Sequence, residues 1–287
     1  MKYIFGNQKM NLSPEKADKF ITDFCKSKEM KQKYWDIKSK DIDYESAEYK
    51  EFENQVKKRD KKRIKPIFDD LFDVVIFPSL LNLQHMKNKS IKLNKRIGFG
   101  AQNCYLLDEG AYTGEISASQ LAGTAEFVLV GHSERRQIFN ETDKIINLKI
   151  KSIIKNGMAA VLCVGETAGE RADGQTEKVI ARQLKDGLEG LNPKKLNRDF
   201  IEQKLIIAYE PVWSIGSGKT PTDDEIAKTI KFIHKKVVAK VVYGGSVTPE
   251  NTAKIMKISG VDGLLVGNAS TNAIKFATIV KTAREGQ

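Results

Sequence analysis

The sequence is poor in the features that mark secreted, membrane-bound and metal-stabilised proteins. Its 287 residues contain only three cysteines, Cys25, Cys104 and Cys163, an odd number without metal-ligand spacing. We therefore expect free thiols in a reducing compartment and no cysteine-ligated metal. No apolar run is long enough to cross a bilayer, and the first residues lack the apolar stretch of a signal peptide. These absences predict a cytoplasmic protein without a membrane span.

A nucleotide-binding P-loop is also missing, although residues 216–220 read Gly-Ser-Gly-Lys-Thr. The P-loop pattern requires a glycine, four further residues and then Gly-Lys-Thr, and the position of the first glycine holds Trp213. An indole there would block the close backbone approach to a polyphosphate that glycine permits. What remains is Glu210 at the end of an apolar run, followed by Pro211 and a glycine-rich segment, which suggests a catalytic base and a lid.

The composition is that of an ordinary soluble protein, with 40% hydrophobic and 30% charged residues. This length is near the upper limit for one hydrophobic core, so residues 1–287 are expected to form a single domain. The 48 basic and 37 acidic side chains leave a net charge of +11. Such a charge favours anionic partners, either phosphorylated metabolites or nucleic acid, without choosing between them.

Short apolar runs alternate with segments of helical periodicity along the whole chain. The strand candidates are residues 3–6, 73–77, 96–101, 127–131, 159–164, 204–209, 240–243 and 263–266. Runs without polar alternation are typical of parallel strands that are covered on both faces. Eight of them alternating with helices predict an α/β fold, a (β/α)8 barrel. A doubly wound open sheet is the competing interpretation, because alternation alone does not separate the two.

Polar residues and a glycine at the strand ends favour the barrel. They lie at or just after the C-terminal ends of the strand candidates: Asn7, Gln102, His132, Glu166, Glu210 and Gly244. In a (β/α)8 barrel this end of the strands carries the active site. These positions therefore predict where the chemistry takes place.

The segment from Lys28 to Lys65 departs from the alternation, because it holds 13 basic and 9 acidic residues and almost no aliphatic ones. It is expected to be a solvated surface insertion between the first helix and the second strand. The alternative is that the basic tract from Lys57 to Lys65 binds nucleic acid or another polyanion. This tract has no aromatic residue for base stacking, which argues against sequence-specific recognition.

Three strand ends carry candidate catalytic groups. Asn7 and Lys9 follow the first strand, although a lysine there is also compatible with a solvated surface charge. His132 begins a short helix, whose positive end disfavours protonation of the ring, so a neutral donor is expected. An ordinary histidine in a turn is the alternative. Glu210 precedes Pro211, which restricts its backbone to extended conformations and ends the strand.

The last two loops of the barrel are candidates for binding an anion. "YGGSV" contains Ser246, and "VGNAS" contains Gly267 and Asn268. Barrels often hold a substrate phosphate with backbone amides at these two loops, although each sequence is also compatible with an ordinary turn. Gly216 and Gly218 could either serve as hinges or direct N–H groups at the same anion.

Taken together, these motifs resemble the triosephosphate isomerase family. They are, in the family's order, "GNQKMN", "GAQN", "AYTGEIS", "VGHSERR", "VLCVGE", "AYEPVWSIGSGKT", "YGGSV" and "LLVGNAS". The resemblance covers almost the whole chain except the insertion. It implies the interconversion of dihydroxyacetone phosphate and glyceraldehyde 3-phosphate, in glycolysis and gluconeogenesis, without a metal or an organic cofactor. A different phosphosugar isomerase or an aldolase on the same barrel is the closest alternative.

The resemblance also implies roles for individual residues. Glu210 would be the base and neutral His132 the electrophile, and Lys9 would supply positive charge. Asn7 would donate a hydrogen bond, Glu134 would orient Lys9, and residues 211–220 would form the lid. The phosphate would be held by the residues of the last loops and the lid, namely Gly216, Ser246, Gly267 and Asn268.

A homodimer is implied as well. The stretch "QNCYLLDEGAYTGEIS" resembles a loop that inserts into a partner subunit, where Thr113 would support the neighbouring active site. A surface loop without a partner is the alternative, and it would leave four apolar side chains exposed: Tyr105, Leu106, Leu107 and Tyr112.

Three features depart from the family pattern. Gln8 stands where the family usually has tryptophan, and Asn268 stands where it has glycine. Asparagine tolerates a positive φ better than most residues, so the backbone amide at position 268 is expected to remain usable. Only Val237 to Ala239 connect the helix after the sixth strand with the seventh strand. Either this helix is truncated or some residues are missing from the chain.

Overall fold

Eight parallel strands form a closed barrel. The computed structural model describes residues 2–30, 74–93, 95, 97–191, 204–216 and 220–285. The strands are β1 (Tyr3–Asn7), β2 (Val74–Phe77), β3 (Gly98–Ala101), β4 (Phe127–Val130), β5 (Ala159–Val164), β6 (Leu205–Tyr209), β7 (Lys240–Tyr243) and β8 (Gly263–Val266). Because β8 pairs with β1, the barrel prediction is confirmed and the open sheet is excluded.

Helices follow the strands and cover the barrel. In the described part of the chain they are α1 (Pro14–Lys26), α2 (Leu80–Lys92), α3 (Ala118–Leu121), α4 (Ser133–Gln137), α5 (Asp143–Lys155), α6 (Ala168–Ala172), α7 (Thr176–Gly187), α8 (Asp223–Lys236), α9 (Pro249–Met256) and α10 (Ala273–Glu285). Short 3₁₀ turns lie at Lys28–Met30, Val212–Ser214 and Asn268–Thr271.

The strands bury both faces, as the unbroken apolar runs predict. Alternate residues such as Phe5, Phe77 and Phe127 point into the barrel, where their rings pack 5.5 to 5.6 Å apart. The residues between them, such as Ile4 and Ile76, belong to a second cluster that packs against the helices. Since side chains alternate along a strand, the two clusters form separate layers. All eight strand candidates are confirmed, with small differences at their ends.

Helix α8 ends at Lys236, and only three residues connect it with β7. Its N-terminus has a capping box, in which Thr222 and Glu225 exchange hydrogen bonds with each other's backbone N–H. Acidic residues in the first turn and basic ones in the last turn stabilise the helix dipole. Residues Val237 to Ala239 are sufficient to reach β7, which pairs in register with β6. The short connection therefore closes the barrel without additional residues.

The boundary predicted for the charged insertion is wrong at its first residues. Lys28–Met30 form a 3₁₀ turn in which Glu29 and Met30 are buried, and the Met30 carbonyl accepts a 2.9 Å hydrogen bond from Lys95 Nζ. The turn is therefore held against the barrel by the buried Met30 side chain and by the hydrogen bond from Lys95. Residues 31–65, including the basic tract from Lys57 to Lys65, lie outside the described residues.

The three cysteines are free, as predicted, and all three are buried. Burial raises the pKa of Cys25 and of Cys104 to about 12, because an apolar environment disfavours a thiolate. Among the described residues, no helix combines the length and the apolar character that a membrane span requires.

Gly165 allows the backbone of β6 to approach the end of β5. The N–H of Glu210 donates a 2.8 Å hydrogen bond to the carbonyl of Val164. A Cβ added at Gly165 would lie 1.7 Å from the carbonyl oxygen of Glu210. Backbone atoms cannot yield as a flexible side chain would, so only glycine fits this position.

We predict that Gly165→Ala lowers the free energy of unfolding by about 3 kcal/mol or more, because the added methyl overpacks a site bounded by backbone. Chemical denaturation measures this change. The control is Gly169→Ala in α6, where an added Cβ meets nothing within 4 Å. This control should be neutral or slightly stabilising, since alanine is the better helix former. Equal effects of the two substitutions would contradict the packing argument.

Candidate active site

The Glu210 carboxylate is buried at the end of β6. The residue is 3% exposed, and its Oε1 lies 3.2 Å from Nε2 of His132. Its Oε2 accepts a 3.3 Å hydrogen bond from the N–H of Ser133. A Cβ at Gly244 would come within 3.0 Å of Glu210 Cγ. The end of β4 therefore supplies the polar partners, and the glycine after β7 leaves room for the carboxylate.

His132 is held by the first turn of α4. Its Nδ1 accepts a 3.2 Å hydrogen bond from the N–H of Glu134. A ring nitrogen that accepts a hydrogen bond carries no proton, so this contact assigns the proton of a neutral ring to Nε2. Nε2 faces Glu210. In that tautomer the ring directs its N–H toward Glu210.

Lys9 is held in an unusual backbone conformation with φ of 51°. Its N–H donates to Asn7 Oδ1 over 3.1 Å, and its carbonyl accepts a 2.9 Å hydrogen bond from Gln102 Nε2. A left-handed conformation costs a residue other than glycine about 1 kcal/mol, and the surrounding contacts must maintain it. Lys9 Nζ lies 2.6 Å from Glu134 Oε1. Glu134 therefore contacts both Lys9 and His132.

The candidate anion-binding residues lie beside the catalytic candidates and make fewer direct contacts with them. A Cβ at Gly267 would lie 3.9 Å from Cε of Lys9, which places the loop after β8 beside the lysine. The N–H of Ser246 is 3.4 Å from Ser214 Oγ, so the loops after β6 and β7 are in contact. Gly216 is exposed with φ of 70°, and residues 217–219 beyond it are not described.

The expectation of a positive φ at Asn268 is not met. In the described part of the chain, only Lys9 and Asn140 combine a side chain with a positive φ. Asn268 instead begins the 3₁₀ turn Asn268–Thr271, whose backbone any residue can adopt. An asparagine is therefore accommodated without strain, for a different reason from the one that the sequence suggested.

Glu166, which the sequence placed at a strand end without giving it a role, is a further residue of this site. It is fully buried, and its Oε1 accepts a 2.9 Å hydrogen bond from the indole N–H of Trp213. The guanidinium of Arg171 lies 4.0 Å above the Trp213 ring. Burial raises the pKa of Glu166, although the Trp213 hydrogen bond opposes this shift. Its position just after β5 was the available signal.

The loop between β3 and α3 is well organised but partly exposed. Tyr105 donates its N–H to the carbonyl of Ile116, and its ring packs 4.6 Å from that of Tyr112. A surface loop without a partner was expected to leave four apolar residues exposed. Only Leu107 and Tyr112 are exposed, because Tyr105 and Leu106 are half-buried.

Thr113 is exposed in the same loop. No group of three or more histidine, cysteine, aspartate or glutamate residues in the described ranges could hold a metal ion.

The raised pKa of Glu166 predicts a pH-dependent effect of Glu166→Gln. The native protein keeps a proton on Glu166 at pH values where the unfolded chain has lost it, so stability falls as the pH rises above the ordinary value of 4.5. Glutamine keeps an acceptor for Trp213 and cannot ionise. The variant should therefore gain stability relative to the wild type as the pH rises above 4.5.

Denaturation at several pH values measures this difference. The matched control is Glu225→Gln, because hydrogen bonds from Thr222 hold the pKa of Glu225 below its ordinary value. Because this pKa is lowered, the control should lose stability relative to the wild type as the pH rises toward 4.5, and the loss should stay constant above that value. A Glu166→Gln effect that is independent of pH would contradict the linkage.

The chain is similar in sequence and in fold to one known family of proteins. The family model described as Triosephosphate isomerase matches residues 39–283. The triosephosphate isomerase of Chlorobium luteolum is 44% identical over 196 residues, which cover 64% of this chain and 75% of the relative. That of Clostridium botulinum is 40% identical over 235 residues, covering 76% and 90%. The crystal structure of triosephosphate isomerase from Bartonella henselae matches with a TM-score of 0.71 at 29% identity and covers 99% of both chains. The chain therefore belongs to the triosephosphate isomerase family of isomerases.

Proposed function

We propose that the protein interconverts dihydroxyacetone phosphate and glyceraldehyde 3-phosphate, a reaction of glycolysis and gluconeogenesis, through an enediolate. The observation that carries this proposal is the 3.2 Å approach of the buried Glu210 carboxylate to Nε2 of His132, with Lys9 joined to His132 through Glu134. A base, a neutral donor and a cation then surround one space at the C-terminal end of the barrel.

Glu210 is the base that moves the proton. It takes a proton from the carbon next to the carbonyl and returns it to the neighbouring carbon, which had been the carbonyl carbon. The hydroxyl proton of the first carbon passes to the former carbonyl oxygen, so the two carbons exchange hydroxyl and carbonyl with no net gain or loss of protons. One carboxylate can serve both carbons, and the reaction needs neither an oxidant nor a metal. The Ser133 N–H and His132 hold the carboxylate in position before substrate arrives.

His132 and Lys9 stabilise the charge that develops on oxygen. The Nε2 proton of His132 donates to the carbonyl oxygen and polarises it, and Lys9 supplies positive charge to the enediolate. Asn7 fixes the Lys9 backbone through its Oδ1, and Glu134 orients the ammonium group. Such donors act strongly because they are oriented in advance at a site that excludes water.

The substrate phosphate is held at the other end of the same space. Its ligands are the backbone amides of Gly216, Ser246 and Asn268, with Gly267 beside Lys9. Residues 211–220 close over it as a lid, and the hydrogen bond from Trp213 to Glu166 sets the starting position of that lid. Closure removes water and keeps the intermediate from losing its phosphate.

The protein acts as a homodimer. Exposed apolar side chains follow four consecutive strands of the barrel: Met10 after β1, Leu81 after β2, Tyr112 after β3 and Phe139 after β4. These strands are neighbours, so the side chains share one side of the C-terminal end. A second copy that covers them would bring Thr113 of the partner subunit toward Lys9.

The activity is tested by converting glyceraldehyde 3-phosphate in a coupled assay for dihydroxyacetone phosphate. We expect Glu210→Gln to lower kcat by about 100-fold to 10,000-fold, because it removes a positioned general base. The control Glu177→Gln changes an exposed glutamate in α7 and should leave kcat unchanged. Wild-type turnover in Glu210→Gln would refute the assignment of the base. A wild type that converts only other phosphosugars would favour the alternative isomerase or aldolase.

The dimer is tested with Leu81→Asp, which places a charge on the exposed apolar face of α2. We expect the dissociation constant to rise at least about tenfold, because burying an unpaired carboxylate at an interface is unfavourable. Light scattering over a concentration series measures it. The control is Val238→Asp, an exposed apolar position between α8 and β7. A wild type that is monomeric, or a Leu81→Asp variant as dimeric as the control, would contradict the proposed interface.

A further inference from the structure

Gln8 links the loop that carries Lys9 to the loop after β8. It is 1% exposed, and its Nε2 donates a 3.2 Å hydrogen bond to the carbonyl of Ser270. Its own N–H donates to the carbonyl of Phe77, and its carbonyl accepts from Asn11 Nδ2. The backbone of Gln8 is therefore fixed to its surroundings, and its side chain reaches across the barrel seam between β1 and β8.

Ser270 is the residue that closes the 3₁₀ turn Asn268–Thr271. Its N–H and its hydroxyl donate to the carbonyl of Gly267 over 2.9 and 2.7 Å. The side chain packs against β1, since a Cβ at Gly6 would lie 3.1 Å from Ser270 Cβ. With its own carbonyl held by Gln8, Ser270 is fixed at both ends. A displacement of Ser270 would thus shift Gly267 and Asn268 as well.

The oxygen of the Gln8 amide, Oε1, lies in a different environment from its nitrogen. Its Oε1 is buried and has no hydrogen-bond partner among the described residues. A buried acceptor without a partner opposes much of the stabilisation that the Nε2 hydrogen bond provides. The Nε2 hydrogen bond, in contrast, acts directly on the position of Ser270.

We propose that Gln8 is a positioning residue for the substrate phosphate. Through the carbonyl of Ser270, it sets the distance between the loop of Gly267 and Asn268 and the loop of Lys9. The phosphate and the enediolate of one substrate must contact these two loops at the same time, so their spacing affects binding of the phosphorylated substrate. This inference rests on the proposed function, which assigns the loop after β8 to the phosphate.

The test uses Gln8→Met, which keeps the length of the side chain and removes the donor. We expect KM for glyceraldehyde 3-phosphate to rise about three- to tenfold, the effect of one net hydrogen bond, with kcat within about twofold of the wild type. Inhibition by inorganic phosphate should weaken by a similar factor. For glyceraldehyde, which has no phosphate, kcat/KM from proton exchange in D₂O should not change.

The matched control is Asn82→Leu. Asn82 is also a buried amide that donates to a backbone carbonyl of the same loop, that of Leu12, but it does not reach the 3₁₀ turn. This control should lower the melting temperature and leave KM unchanged. A role of Gln8 in folding alone would give Gln8→Met the same pattern, and this result would overturn the inference.

The outcomes separate this inference from the proposed function. A wild type that does not turn over glyceraldehyde 3-phosphate would refute the function itself. An active wild type whose KM and phosphate inhibition are unaffected by Gln8→Met would refute only the role of Gln8. An equal loss with glyceraldehyde and with its phosphate would also overturn the inference, because it would place the effect at the reacting carbons.

Discussion

Burial of one carboxylate, that of Glu210, is the constraint on which the arrangement of this site depends. A charged group that is removed from water is unfavourable unless other polar groups replace its hydration. Here the replacements are the N–H of Ser133 and the ring of His132, both from the end of β4. Two glycines, Gly165 and Gly244, leave the space that the carboxylate and its backbone occupy. The strand ends of a closed barrel bring these groups together.

The same carboxylate determines what its neighbours have to be. A histidine that faces Glu210 through Nε2 must accept a hydrogen bond at Nδ1 to remain a neutral donor, and the N–H of Glu134 provides one. Glu134 in turn holds the ammonium group of Lys9, whose backbone is kept in a left-handed conformation by Asn7 and Gln102. On the proposed function, each contact orients a group before substrate binds, so little reorganisation accompanies the reaction.

The sequence was sufficient to predict the barrel and the side of it that carries the polar residues. Unbroken apolar runs identify buried parallel strands, and in a barrel their C-terminal ends meet. It could not predict contacts between distant strands, such as the hydrogen bond of Trp213 to Glu166 or that of Gln8 to Ser270. These contacts depend on three-dimensional register and on rotamers, for which a local pattern contains no signal. The family resemblance supplied the roles of the residues.

The two ends of the barrel tolerate change differently. The short passage from α8 to β7 lies at the N-terminal end of a strand, where only closure of the sheet must be maintained. At the C-terminal ends, loops that act on one substrate must keep their spacing. Gln8, which stands where the family usually has tryptophan, must therefore maintain the distance between two of these loops. Its buried amide keeps one hydrogen bond and leaves Oε1 without a partner. On the proposed function, the Nε2 hydrogen bond is the part of this amide that maintains the spacing of the two loops.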